Sequence, residues 1–170
     1  VGVPTAKVFS RVVRAAIVGI GSLETCVAQI DSAVAERCWA VIDAGRQQQF
    51  AASFVRGADG TNTARGSTAS ALAMLSSWTV ERPPAIVDNA ALAEWLRPGD
   101  LLTGPGLSVL AASLSAEVRQ ADRSLWQPRA ATVGRLAALR FASGGADDVL
   151  AITPDYLRHS AAEEKWLARQ

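Results

Sequence analysis

The sequence predicts an α/β fold, a mixed sheet with flanking helices. Two observations carry that expectation. Apolar runs of strand length alternate with segments that repeat at helical spacing, with Gly- or Pro-rich turns between them. The best strand candidate, residues 37–43, is apolar on both faces, as a strand covered on both sides requires. An all-helical bundle is the alternative, because 33 alanines among 170 residues favour helix and blur both periods.

Residues 5–14 read as an amphipathic helix. Val8, Phe9, Val12 and Val13 lie on one side, and Lys7, Arg11 and Arg14 on another. Ala15 to Ile20 is a short apolar run of buried-strand character, ended by Gly19 and Gly21. Ser22 then caps a helix with Leu23, Cys26, Val27 and Ile30 on one stripe. In Arg37 to Asp43, Cys38, Ala40 and Ile42 alternate with Trp39 and Val41, which places this strand at the centre of the sheet. Ala44-Gly45-Arg46 turns the chain. Gln49 to Val55 returns antiparallel, with Phe50, Ala52 and Phe54 on one face.

Residues 56–66 read as a flexible loop within a single domain spanning 1–170, and 69–80 fit helix or strand equally. Pro83-Pro84 breaks the pattern. Asp88 or Asn89 caps a short helix ending near Leu96. Arg97-Pro-Gly-Asp100 is a turn, Leu101 to Thr103 a short strand, and Leu107 to Val118 a helix or a loop. Residues 128–142 predict a helix with Val133, Leu136, Ala137 and Phe141 inward, stopped by Ser143-Gly-Gly145.

Composition narrows the function classes. A net charge of +1 argues against a protein that binds nucleic acid or a membrane through its overall charge. The two cysteines, Cys26 and Cys38, fit free thiols in a reducing cytoplasm. No apolar stretch approaches a membrane span. The chain opens on Val1, so upstream residues are expected to be missing or trimmed.

Several constellations carry possible chemistry. Gly19-x-Gly21, with Asp43 at ribose distance, has part of a dinucleotide fingerprint, but Glu24 would oppose a pyrophosphate there. Arg56 and Arg65 flank the loop and could grip phosphate, against the plainer reading of a surface loop. Asp155, His159 and Glu163 would share a helix face and could hold a metal, although such polar stripes usually face solvent. Lys7, Arg11 and Arg14 could follow an RNA backbone, or form the polar side of an interface helix. The tryptophans at 39, 78, 95, 126 and 166 are dispersed, so they read as core and interface anchors.

Three segments, in order, resemble the TsaB (YeaZ) family. Val18-Gly-Ile-Gly-Ser-Leu-Glu24 resembles that family's strand-to-helix joint, commonly Val-Gly-Val-Ser-Ser-Leu-Glu, and Thr5-Ala-Lys7 before it resembles the family's Thr-Ala-Lys-Gly-Leu-Ala segment. Residues 41–50 resemble a hairpin written Ile-Asp-Ala-Arg-x-Gly-Glu-Val-Tyr. Here Gly45 replaces the Arg, Gln47 the Gly, Gln48 the Glu and Phe50 the Tyr. Pro154-Asp-Tyr-Leu-Arg158, with Trp166 beyond, resembles the family's Pro-x-Tyr-Leu-Arg followed by a tryptophan.

The resemblance implies one lobe of the actin and sugar-kinase fold. An opening Leu-Ala-Ile-Asp-Thr strand and a Gly-Pro-Gly-Ser-Phe-Thr-Gly loop would be expected before Val1. It also implies a cytoplasmic, non-catalytic scaffold in transfer RNA modification, with no cofactor and no metal of its own. The expected partners are a TsaD-type subunit and a TsaE-type ATPase. Transfer RNA would be met only through that complex, and a homodimer stays open. Val8, Phe9, Val12 and Val13 are the expected partner-binding residues, against the plainer reading that they pack in the core. A nucleotide-binding enzyme subunit and an unrelated helical adaptor are the competing classes.

Overall fold

The alternation at 37–55 builds the middle of the sheet. The computed structural model describes residues 2–57 and 78–158. β1 (Arg37–Gly45) and β2 (Gln48–Arg56) form an antiparallel hairpin, with Cys38 opposite Phe54, Ala40 opposite Ala52 and Ile42 opposite Phe50. β3 (Trp78–Asp88) joins β2 antiparallel at one edge. β4 (Leu101–Thr103) pairs parallel with β1, and the short β5 (Arg119–Gln120) pairs parallel with β4. The order β3-β2-β1-β4-β5 puts β1 at the centre, as its two apolar faces require. The fold is α/β with a mixed sheet, and the helical-bundle alternative is excluded.

Each face of the sheet has its own core. On one face, Cys38, Ala40, Ala52 and Phe54 pack against Leu23, Cys26 and Val27 of α2 (Ser22–Val27) and against Ile30 beyond it. On the other, Trp39, Val41, Ala51 and Leu102 meet Leu92 of α3 (Asn89–Trp95) and Leu107 and Leu110 of α4 (Leu107–Leu110). Each fully buried Leu or Val contributes about 1.5–3 kcal/mol of burial, so these layers dominate stability. Trp39 stacks on Trp95 at 6.1 Å, and Arg82 lies over Trp95 at 4.8 Å.

Buried Asp100 ties the strand starts together. It accepts hydrogen bonds from Arg37 Nε at 2.8 Å, Trp39 Nε1 at 3.0 Å and the Arg97 amide at 2.9 Å. Arg37 also faces Glu81 at 3.5 Å, and Glu81 accepts from Ser53 Oγ at 2.8 Å. Gly104 and Gly106 let the loop after β4 rest on β1. A Cβ on Gly104, which has φ +114°, would stand 2.2 Å from the Val41 carbonyl oxygen.

The structure corrects several local expectations. Residues 15–20 make only a single bridge, Ile17 to Asp147. The Ile17 carbonyl and the Gly19 amide bond to Asp147, which lies off the sheet, so the apolar run stays partly exposed and is not a strand. Gly21, not Ser22, holds the N-cap position of α2, without a side-chain cap. β3 continues through Pro83-Pro84 because it is an edge strand, where a missing N–H costs no ladder bond, and the register with β2 shifts nearby. After α4 the chain makes only a short 3-10 turn, Ala111–Ser113, not a long helix.

α5 (Ala130–Ala142) forms, but Thr132 and Leu136 are its buried residues, while Val133 and Phe141 are exposed. Its many alanines leave the inward phase of the helix weakly marked. The flexible-loop expectation for 58–66 and the helix-or-strand question for 69–77 lie outside the described residues, whereas 78–80 is strand. No helix among the described residues is long and apolar enough to cross a membrane.

Candidate functional site

α1 (Gly2–Val13) is the amphipathic helix that the sequence predicts, turned outward. Its contact side is small and polar. Ser10 is buried, and Val3 and Lys7 are half-buried, a 3-7-10 stripe that matches one helix face. Lys7 Nζ donates to the Leu150 carbonyl at 2.9 Å. Ser10 Oγ donates to the Ala15 carbonyl at 2.6 Å, and the Ala15 amide returns to the Ser10 carbonyl at 3.0 Å. That return bond and the left-handed Arg14 (φ +55°) close the helix in a Schellman turn.

The other side carries Val8, Phe9, Val12 and Val13, all exposed, with Phe9 at 65% and Val12 at 75%. The four side chains are neighbours on one helix and make a contiguous exposed apolar patch. Arg11 and Arg14 form no ion pair among the described residues. A helix of this length is marginal alone in water, so covering its apolar face would stabilise it.

Beside α1 lies an open cleft of about 810 Å³. Its floor is the outer half of the first sheet face, including Ile42, Phe50, Phe54 and Trp78, with Val80 and Pro84 toward the β3 edge. One wall is the joint Gly19–Glu24 and α2; the opposite wall is the segment from Asp147 to Leu157. Val3 of α1 stands at its edge. The charged residues among its described lining are Glu24, Asp147 and Asp155, all acidic. Glu24 pairs with Arg140 at 3.3 Å, Asp147 accepts from the Gly19 amide at 2.6 Å, and Asp155 has no ion pair among the described residues.

This arrangement removes the fingerprint chemistry at Gly19-x-Gly21. The Gly19 amide is already bonded to the Asp147 carboxylate, Ile152 Cδ1 stands 3.0 Å from where a Gly19 Cβ would be, and the Glu24 side chain stands beside Gly21. Two carboxylates at that turn repel a pyrophosphate. Asp43 is spent on the Gly45 amide of the hairpin turn at 2.9 Å. Arg56 is also taken up, by Glu36 at 3.2 Å and the Ala35 carbonyl at 3.3 Å; Arg65 lies outside the described residues.

Asp155 is exposed, and its proposed metal companions His159 and Glu163 lie outside the described residues. No group of three metal-ligating side chains occurs among the described residues. The thiols are poor nucleophiles: burial pushes Cys26 up to about 11, and Cys38 is pushed further by burial, then by Cys26 and Asp100. Four of the five tryptophans are described. Trp39 is buried, and Trp78 and Trp126 donate their indole N–H to the Ile30 and Ala121 carbonyls.

The C-terminal stretch docks on the hairpin through Arg158. Arg158 Nη1 donates to the Ala44 carbonyl at 2.6 Å, and Nη2 donates to Gln48 Oε1. Leu157 lines the cleft, whereas Tyr156 is 80% exposed. Sequence reasoning missed the cleft, because its walls come from residues more than a hundred positions apart.

No family sequence model matches the chain, and no curated protein sequence does. Solved structures do match. A crystal structure of an uncharacterised Pseudomonas aeruginosa protein, described as similar to the peptidase YeaZ, superposes with a TM-score of 0.65 at 17% identity over 92% of this chain. YeaZ from Pseudomonas aeruginosa gives a TM-score of 0.66 at 16% identity over 91% of this chain. The chain spans 65% and 66% of those two structures. Over that length, its mixed sheet and flanking helices have the actin-like fold of the YeaZ (TsaB) proteins.

Proposed function

We propose that this chain is a non-catalytic partner subunit in transfer RNA threonylcarbamoyladenosine modification, pairing with a TsaD-type protein through α1. The observation that carries the reading is the apolar face of α1, exposed on a chain of YeaZ fold. Support also comes from how the resembling segments meet. Arg158 of the C-terminal motif holds the 41–50 hairpin, and the 18–24 joint is held by Asp147 and Arg140. The C-terminal motif is thus tied to the hairpin, and the joint that follows α1 is tied to α5 and the segment after it. A nucleotide-binding enzyme is disfavoured by the carboxylates at Gly19 and Gly21. On this reading, transfer RNA is met through the complex.

The test is co-purification with the TsaD-type protein of the same source, with the mass of the complex read by light scattering. The expected result is a stable pair that Phe9→Asp weakens by at least about tenfold, since a charge placed in an apolar interface centre costs ~2 kcal/mol or more. A pair indifferent to Phe9→Asp moves the contact off α1. The absence of any pair overturns the proposal.

A further inference from the structure

The cleft between the Gly19–Glu24 joint and the 147–157 segment has the size and lining of a small-molecule site. Its volume of about 810 Å³ lies within the usual span of ligand pockets, roughly 300–1,000 Å³. The apolar floor includes the aromatic rings of Phe50, Phe54 and Trp78. Phe50 and Trp78 are only half-buried, so their rings keep surface to offer.

The charge in the cleft is of one sign. Glu24, Asp147 and Asp155 are the charged residues of its described lining. Of these, only Glu24 has a cationic partner among the described residues, Arg140 at 3.3 Å. Asp147 accepts from the Gly19 amide, and Asp155 is exposed. Such a lining repels phosphates and carboxylates. A metal ion fits poorly, because no group of three metal-ligating side chains occurs among the described residues. An organic ammonium fits well, since it is attracted both by carboxylates and by the faces of aromatic rings.

We propose that the cleft binds a small aromatic amine, its apolar body on the floor of Phe50, Phe54 and Trp78 and its ammonium group at Asp155. The floor supplies the apolar contact, and the uncompensated carboxylates of Asp155 and Asp147 select for positive charge. The site goes beyond the subunit pairing proposed above. It lies apart from the outer face of α1, which borders the cleft only through Val3.

Tryptamine is a suitable probe, with indole-3-propionate as its counterpart of similar size and opposite charge. Amide and indole NMR shifts of the full chain are followed during each titration. Saturable tryptamine binding is expected, with shifts at Phe50, Trp78 and Asp155. It should weaken with added salt. The carboxylate is expected to bind at least about tenfold more weakly, equivalent to ~1.4 kcal/mol. Asp155→Asn, at an exposed position, is expected to weaken tryptamine severalfold and to narrow its advantage over the carboxylate. Val80→Arg places a cation on the lining at a residue 53% exposed, and is expected to weaken tryptamine while leaving circular dichroism unchanged. Tryptamine that does not saturate overturns the proposal. So does equal binding of the two probes, or tryptamine binding indifferent to both variants. Neither failure touches the TsaD-type pairing, which is read from co-purification and Phe9→Asp.

Discussion

Phe54 and Phe9 are the same side chain in opposite circumstances. Phe54 is 4% exposed, held between the sheet and α2. Phe9 is 65% exposed, on a helix whose contact side offers Val3, Lys7 and Ser10. The sheet region completes its own apolar contacts within the chain. α1 does not, and its apolar face stays exposed on the folded chain. The difference separates residues that make the domain fold from residues that the folded domain presents.

The sharpest way to break that comparison is a matched pair of truncations. Phe54→Ala is expected to destabilise the chain by about 3–5 kcal/mol, the usual cost of emptying an aromatic core site. Phe9→Ala is expected to stay within ~0.5 kcal/mol, as an exposed substitution does. Denaturant unfolding followed by circular dichroism measures both. A large loss from Phe9→Ala would mean that α1 is part of the core after all.

Asp100 offers the next largest effect. Removing its carboxylate with Asp100→Ala leaves the buried Arg37 only its longer contact to Glu81 and strips the Trp39 indole N–H of its acceptor. About 3 kcal/mol of destabilisation is expected in the same assay. A change below ~1 kcal/mol would show that Glu81 or water replaces the carboxylate.

The thiols test the sheet face under α2 without changing a residue. Burial favours their neutral form in the folded chain, so their contribution is complete below the unfolded thiol range and is lost as pH rises through the folded values. The expected window opens above pH 9 and extends to about 11, where Cys26 ionises in place. At neutral pH neither Cys26 nor Cys38 should react with a thiol reagent until the chain unfolds, whereupon both should. Fast labelling of either in the native state would show that α2 opens locally.

The same contrast governs what was legible in the sequence. The hairpin of β1 and β2 was readable because each strand carries its alternation locally and a turn of fitting composition joins them. The outward helix was readable too, since its two sides differ so strongly. What failed were segments whose partners are remote. The run at 15–20 has strand composition but no neighbouring strand, only Asp147 and Arg140. β3 carries two prolines that read as a break until its edge position is known. The phase of α5 was lost among alanines that suit either side of a helix. Of the candidate site, the apolar face of α1 was visible as a pattern, but whether it pointed inward was decided by packing that no local window contains.

The smallest expected effect concerns the turn that ends α1. Arg14 adopts φ +55°, a left-handed conformation that costs a side chain roughly 1 kcal/mol relative to glycine. Arg14→Gly should therefore strengthen the end of the helix. If α1 is held to the domain only by its narrow contact side, it can fray while the sheet stays folded, and the gain is local. The expected result is slower hydrogen exchange at the α1 amides, with the global unfolding midpoint unmoved. A midpoint that rises together with the α1 protection would join the helix to the cooperative unit of the sheet, and the division between Phe54 and Phe9 would then be one of exposure alone.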